Sequence, residues 1–244
     1  MVYTYPDLVR GIVQGLSPRE FAGYIDSTLL KADAPLDQAL AYIDEAREYG
    51  FKCVVLSPYH ARHVLSKGLA EGVCICSVIG FPMGFTSTRA KVVEAEELLG
   101  LGLHEVDVVM NIQAFKSGRY DDVLEDLVAV VDTAKRYGAT VKVIVESPLL
   151  SLEEKARAVE LVAKAGAQFI KTSTGVLSKT DLQDVYTLIR LSRGRLKVKA
   201  SGGFRTAITT LLAIGMGVHR IGTSTASQVY REFLELRERI GGGV

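Results

Sequence analysis

Cysteine is scarce in this 244-residue chain: there are three, at positions 53, 74 and 76, so any internal disulfide leaves one thiol over. Cys74 and Cys76 lie two apart on a strand-like run and point the same way, so stapling by disulfides is not expected. A Cys-x-Cys pair can hold metal, but no second pair stands at ligand spacing, and histidine occurs only at 60, 63, 104 and 219. Core thiols, surface histidines at 60 and 63 and no metal are therefore expected. Long apolar runs are lacking too. The stretches 73–79 and 106–110 fall far below the roughly 18 residues that span a bilayer, and no basic-then-apolar leader opens the chain, so a cytoplasmic protein with no membrane partner is expected. Nor is there an excess charge. Twenty-nine Lys and Arg against 28 Asp and Glu leave no footprint for nucleic acid, and 48% hydrophobic residues exclude a disordered chain.

What the chain does have is alternation. Short apolar runs at 24–30, 52–57, 73–80, 105–112, 141–146, 169–174, 197–201 and 220–223 read as strands. Helical patterns follow them at 36–49, 59–66, 87–101, 120–137, 152–165, 180–191, 206–214 and 224–239. Eight such units predict an α/β fold, a (β/α)8 TIM barrel filling one domain over 1–244, with a short helical extension at 5–24 broken near Ser17-Pro18. An open doubly wound sheet is the alternative, but it would usually show fewer strands and a single glycine-rich dinucleotide turn. Glycines 50, 102, 138, 166 and 215 are expected to cap helices in the left-handed conformation, and Ser151 with Glu154 forms a capping box.

Parity sorts each barrel strand into a face that packs on helices and a face that lines the interior. In 105–112 the valines at 106 and 108 oppose Glu105, Asp107 and Asn111; in 141–146 Val141, Val143 and Val145 oppose Lys142, Ile144 and Glu146. Lys171 shares a face with Ser173, and Lys197 and Lys199 share one with Ser201. An inward cluster of Asp26, Asp107, Lys142, Lys171 and Lys199 follows, since charges desolvated separately would cost several kcal/mol each. Its three lysines outnumber its two carboxylates, which suits an anionic ligand. The excess also suits covalent chemistry. Bringing a lysine from about 10.4 to near 7 takes about 4–5 kcal/mol of differential destabilisation, which burial and a neighbouring ammonium can supply, and a neutral amine attacks carbonyls. Spacing alone leaves open which of Lys171 and Lys199 attacks.

Three late strands end in small residues, Ser173-Thr-Gly175, Ser201-Gly-Gly-Phe-Arg205 and Gly222-Thr-Ser-Thr225. Backbone N–H groups at such turns approach oxyanions closely, so a phosphorylated substrate is expected at the last β/α units.

The segments Phe169-Ile-Lys-Thr-Ser-Thr-Gly175 and Val198-Lys-Ala-Ser-Gly-Gly-Phe-Arg205, with Ile25-Asp-Ser-Thr-Leu-Leu-Lys31, Glu105-Val-Asp-Val-Val-Met-Asn111 and Val141-Lys-Val-Ile-Val-Glu146, closely resemble the deoxyribose-phosphate aldolase family from about Ala22 to Thr225. The resemblance implies a cofactor-free barrel that cleaves 2-deoxy-D-ribose 5-phosphate reversibly to acetaldehyde and D-glyceraldehyde 3-phosphate. It assigns the Schiff base to Lys171, the pKa-lowering ammonium to Lys199 and proton movement to Asp107. Asp26, Cys53, Lys142 and Thr172 would belong to the substrate pocket, and Gly175, Gly202, Gly203, Arg205, Gly222 and Ser224 to the phosphate site. A homo-oligomer, dimer or tetramer, is the expected assembly. The chain departs from the family's pattern at its end, Gly241-Gly-Gly-Val244, where better-known members carry a tyrosine that assists proton transfer. Two other functions fit the same residues: a transaldolase-like barrel acting on longer sugar phosphates, and a sugar-phosphate-binding barrel without catalysis.

Overall fold

The computed structural model describes residues 5–241; residues 242–244, where the expectation about a missing terminal tyrosine falls, lie outside them. Eight parallel strands close into a barrel in chain order: β1 (Ile25–Leu29), β2 (Cys53–Leu56), β3 (Ile75–Ile79), β4 (Glu105–Val109), β5 (Thr140–Ile144), β6 (Phe169–Lys171), β7 (Lys197–Ser201) and β8 (Arg220–Thr223), with β8 pairing back onto β1. Helices α3 (Leu36–Tyr49), α4 (Pro58–Ser66), α5 (Thr88–Gly100), α7 (Tyr120–Arg136), α8 (Leu152–Lys164), α9 (Leu182–Ser192), α10 (Ala207–Met216) and α11 (Ala226–Gly241) follow the strands in turn. Two helices precede β1: α1 (Tyr5–Gln14) and α2 (Pro18–Ala22). The fold is the expected (β/α)8 barrel with its helical extension. Among the described residues, no helix is long and apolar enough to cross a membrane.

Alternation explains the layers. Val106, Val108, Val141 and Val143 point outward into the continuous apolar layer between strands and helices. The interior divides in two: Cys53, Val55, Cys76 and Val78 form an apolar patch on the β2–β3 side, while charged side chains fill the rest. In the extension, Phe21 stacks on Phe233 with centroids 4.0 Å apart, fixing α2 against α11.

Local chemistry moved several boundaries. Asn111 does not continue β4: its side chain accepts from Ala114 N–H at 3.0 Å and starts a short helix, α6 (Ile112–Lys116), that a strand reading to 112 misses. Strand β6 stops at Lys171, because Thr172 Oγ1 exchanges hydrogen bonds with the Ser201 backbone. The left-handed cap of α10 is Gly217, at φ 103, and not Gly215, which lies inside the helix where α1 brings Ile12 against it. His60 is buried and not a surface residue. The disulfide expectation also fails: Cys53 and Cys74 are bonded, since β2 and β3 are neighbours and set the two side chains side by side on the interior side.

The capping box is present as expected, with Ser151 Oγ accepting from Glu154 N–H at 3.3 Å and Glu154 returning the contact to Ser151 N–H at 2.8 Å. Ser151→Ala is expected to cost roughly 1 kcal/mol and to lower Tm by about 2–4 °C, which thermal unfolding followed by circular dichroism measures.

Candidate active site

Asp107 on β4 is the hub of the interior. Its Oδ2 accepts from Lys171 Nζ at 2.7 Å and from Lys199 Nζ at 2.8 Å, and its Oδ1 accepts from Lys142 Nζ at 2.9 Å. These lysines come from adjacent strands, and the register pairs Asp107 with Lys142 and Lys171 with Lys199. Lys199 also meets Asp26 at 2.6 Å, and Lys142 meets Glu105 at 2.5 Å. Arg220, at the start of β8, closes the network by donating to Asp26 and to Glu105, each at 2.7 Å. All five expected cluster residues are together.

Glu105 and Arg220 complete the cluster. Parity carried the signal for both, because Glu105 shares a face with Asp107 and Arg220 shares one with Gly222. Lys197, by contrast, stays outside at the start of β7, exposed, with its ammonium 5.6 Å from the centre of the Phe169 ring.

Three carboxylates thus face four cations. Charge balance inside the barrel is reached when one cation is neutral, and the local fields select which. Burial pushes the Lys171 amine below its ordinary value; Asp107 opposes this, and the Lys199 ammonium reinforces it. Burial acts on Lys199 in the same direction, but Asp107 and Asp26 together overcome it and hold that ammonium above its ordinary value. Lys142 is likewise held charged, chiefly by Asp107 against the cost of burial. For Asp107 itself burial favours the neutral acid, yet Lys142, Lys171 and Lys199 keep its carboxyl well below the usual range. Cys76 points at Asp107 Oδ1 from 3.3 Å, and burial, with Asp107's charge, pushes its thiol up to about 12, so it stays protonated.

A cavity of about 570 Å³ opens above this cluster, walled by the segments that follow β1, β3, β6, β7 and β8. Lys171 is the member of the charge cluster that reaches it, from its floor. Gly175, Gly202, Gly203, Arg205, Gly222 and Ser224 all line it, as expected, together with Lys31, Phe81 and Pro82, which no strand or helix periodicity marks. Tyr42 also lines it and fixes its rim by donating from its hydroxyl to the Ser224 carbonyl at 2.9 Å. Gly175 and Gly202 pack backbone to backbone: both have positive φ, and a Cβ on Gly202 would strike Ser173 Oγ and stand 3.3 Å from Gly175 Cα.

Four expected pocket residues are elsewhere. Asp26 and Lys142 lie fully buried among the ion pairs beneath the cavity. Cys53 sits at the start of β2, tied to Cys74. Thr172 has the opposite parity to Lys171, so its hydroxyl latches β6 to β7 instead of facing the cavity.

A model of the DeoC/LacD aldolase family matches residues 24–225. A deoxyribose-phosphate aldolase of Staphylococcus haemolyticus is 43% identical over 210 residues, covering 86% of this chain and 94% of that protein. One from Aquifex aeolicus is 41% identical over 213 residues, covering 87% and 95%. Among solved structures, the tetrameric deoxyribose phosphate aldolase from Aeropyrum pernix superposes with a TM-score of 0.88 at 38% identity, over 96% of this chain and 100% of that one. The matched span runs from the residue before β1 to just past β8, so sequence and barrel agree over the same stretch: the chain belongs to the DeoC/LacD family of aldolases.

Proposed function

We propose that this aldolase cleaves 2-deoxy-D-ribose 5-phosphate reversibly to acetaldehyde and D-glyceraldehyde 3-phosphate, with Lys171 forming the Schiff base. One observation carries the residue assignment: of the amines gathered on Asp107, Lys171 alone opens onto the cavity, and it alone has its protonated form disfavoured.

The neutral Lys171 amine adds to the substrate aldehyde, and loss of water from the carbinolamine leaves a protonated imine. The bond that then breaks is C2–C3, since acetaldehyde keeps two carbons. Asp107, acting through a water, removes the C3 hydroxyl proton, the C3–O bond becomes a carbonyl, and the C2–C3 electron pair flows into the imine. Glyceraldehyde 3-phosphate departs, and an enamine stays on Lys171. Protonation of the enamine carbon through the same water, with Lys199 as the neighbouring ammonium, regenerates an imine that water hydrolyses to acetaldehyde and free amine. The imine is itself the electron sink.

The substrate phosphate is placed against Gly175, Gly202, Gly203, Gly222 and Ser224, with Arg205 as a cation at the rim. Arg205→Gln is expected to raise KM for the phosphorylated sugar by about tenfold and to leave KM for free deoxyribose unchanged, the size of one charged hydrogen bond at a solvent-exposed position. Steady-state assays with both sugars check this. We place an even-numbered homo-oligomer with the same reading, because the Aeropyrum pernix relative is tetrameric. Light scattering on the purified protein gives the state.

The decisive assay incubates the protein with 2-deoxy-D-ribose 5-phosphate and follows acetaldehyde with an alcohol dehydrogenase and NADH. Consumption of NADH is expected. Its absence, with product formed only from longer ketose phosphates, would replace this substrate with a transaldolase-type one.

A further inference from the structure

Beyond the assigned cluster, one buried carboxylate touches no cation. Glu146 is fully buried, lies in none of the ion pairs among the described residues, and has φ 49 and ψ 54. A residue with a Cβ is disfavoured in that left-handed region. Among the described residues, the other non-glycine residue with positive φ, Arg193, closes the end of α9, an ordinary place for it; Glu146 lies two residues past the end of β5, immediately before a short 3-10 helix over Ser147–Leu149.

Ladder bonds hold it there from both sides. Val145 N–H donates to the Lys171 carbonyl at 3.1 Å and Ser147 N–H donates to the Thr172 carbonyl at 2.8 Å, so residue 146 is squeezed out between them as a bulge. Bulges of this kind redirect one side chain. Here the carboxylate is turned onto the segment after β6: one oxygen accepts the Thr174 N–H and the other accepts the Ser178 hydroxyl at 3.0 Å. Thr174, Gly175 and Val176 of that segment form part of the cavity wall. Thr174 in turn binds the backbone N–H groups of Val176 and Leu177, at 3.1 and 3.2 Å.

We propose that Glu146 is a positioning residue that holds the 174–178 segment in its phosphate-receiving shape, acting through Thr174 and not on the reacting atoms. The strained backbone is retained because it aims the carboxylate at that segment. The inference rests on the phosphorylated substrate proposed above, so the wild type serves as the first control.

The test compares wild type, Glu146→Ala, Glu146→Gly and Glu146→Gln. For each, KM and kcat are measured with 2-deoxy-D-ribose 5-phosphate and with free deoxyribose, alongside borohydride trapping of acetaldehyde on Lys171. Wild type should prefer the phosphorylated sugar; if it does not, the substrate reading fails and Glu146 is not at issue. Given that preference, Glu146→Ala and Glu146→Gly should each raise KM for the phosphorylated sugar at least tenfold, while KM for free deoxyribose and the trapping yield stay within twofold. Glycine accepts positive φ without strain, so its failure to restore KM assigns the effect to the lost carboxylate. Glutamine, which can still accept the Thr174 N–H, should bring KM back to within threefold of wild type. An unchanged KM ratio in Glu146→Ala, or an equal loss with both sugars and in trapping, overturns the proposal.

Discussion

Lys171→Ala is expected to lower turnover of 2-deoxy-D-ribose 5-phosphate by on the order of 10⁴- to 10⁶-fold, the loss seen when a covalent nucleophile is removed. The fold should survive, and the reason is electrostatic. Removing Lys171 leaves Asp26, Glu105 and Asp107 facing Lys142, Lys199 and Arg220, so the interior remains charge-balanced, and Asp107 keeps two of its three lysine partners. Circular dichroism and Tm are therefore expected to stay close to wild type while activity vanishes. The direct measurement is mass spectrometry after borohydride reduction in the presence of acetaldehyde. An ethyl adduct should appear on Lys171 in wild type and nowhere in the variant. An adduct on Lys199 or Lys142 refutes the assignment.

Lys199→Leu should be nearly as damaging for a different reason. Without that ammonium, three carboxylates face Lys142, Lys171 and Arg220, and balance now requires Lys171 to be charged. The Lys171 pKa in wild type is lowered by burial and by the Lys199 charge, with Asp107 pulling the other way. Deleting Lys199 removes a lowering influence and leaves the raising one, so the pKa of Lys171 must rise. The sign for catalysis follows: the amine attacks only when deprotonated, activity climbs as pH passes through its pKa, and that acidic limb moves to higher pH. At neutral pH the rate is expected to fall by up to about tenfold per unit of displacement. A pH–rate profile whose acidic limb stays in place sinks this account. Stability should suffer as well, by roughly 1–3 kcal/mol, because Asp26 and Asp107 each lose one charged hydrogen bond while Asp26 keeps Arg220 and Asp107 keeps Lys142 and Lys171. Urea unfolding at a fixed pH measures that cost.

The contrast between these two lysines marks where the sequence ran out. Parity along 169–174 and 197–201 placed both inside, and the inward faces of 105–112 and 141–146 placed Asp107 and Lys142 with them. Parity and spacing distinguished them no further; it was the resemblance of the 169–175 segment to the aldolase family that singled out Lys171. Lys171 and Lys199 are register partners on neighbouring strands, and they differ in whether a second carboxylate is within reach: Asp26 stands beside Lys199 and not beside Lys171. That depends on how β8 closes onto β1 and brings Arg220 and Asp26 together, a contact between the two ends of the chain.

Cys53 shows the same limit from the other side. Its run of apolar neighbours identifies a strand but not the height at which the strand's side chains meet the ligand. The stagger of β2 against β3 sets that height, and it puts Cys53 against Cys74. Glu146 is a third case: by alternation it faces inward, whereas the bulge turns its carboxylate onto the segment after Lys171.

The sequence by itself determined the number and order of the strands and of the helices that alternate with them, the charged identity of the barrel interior, and the glycine turns that form the cavity wall, because these follow from periodicity, parity and local backbone freedom. Tertiary structure decided which carboxylates stand beside each of the two lysines, which cysteines meet and which carboxylate bonds the cavity segment. Those outcomes turn on distances of a few ångströms between strands far apart in the chain, and electrostatic and covalent interactions are steep over such distances.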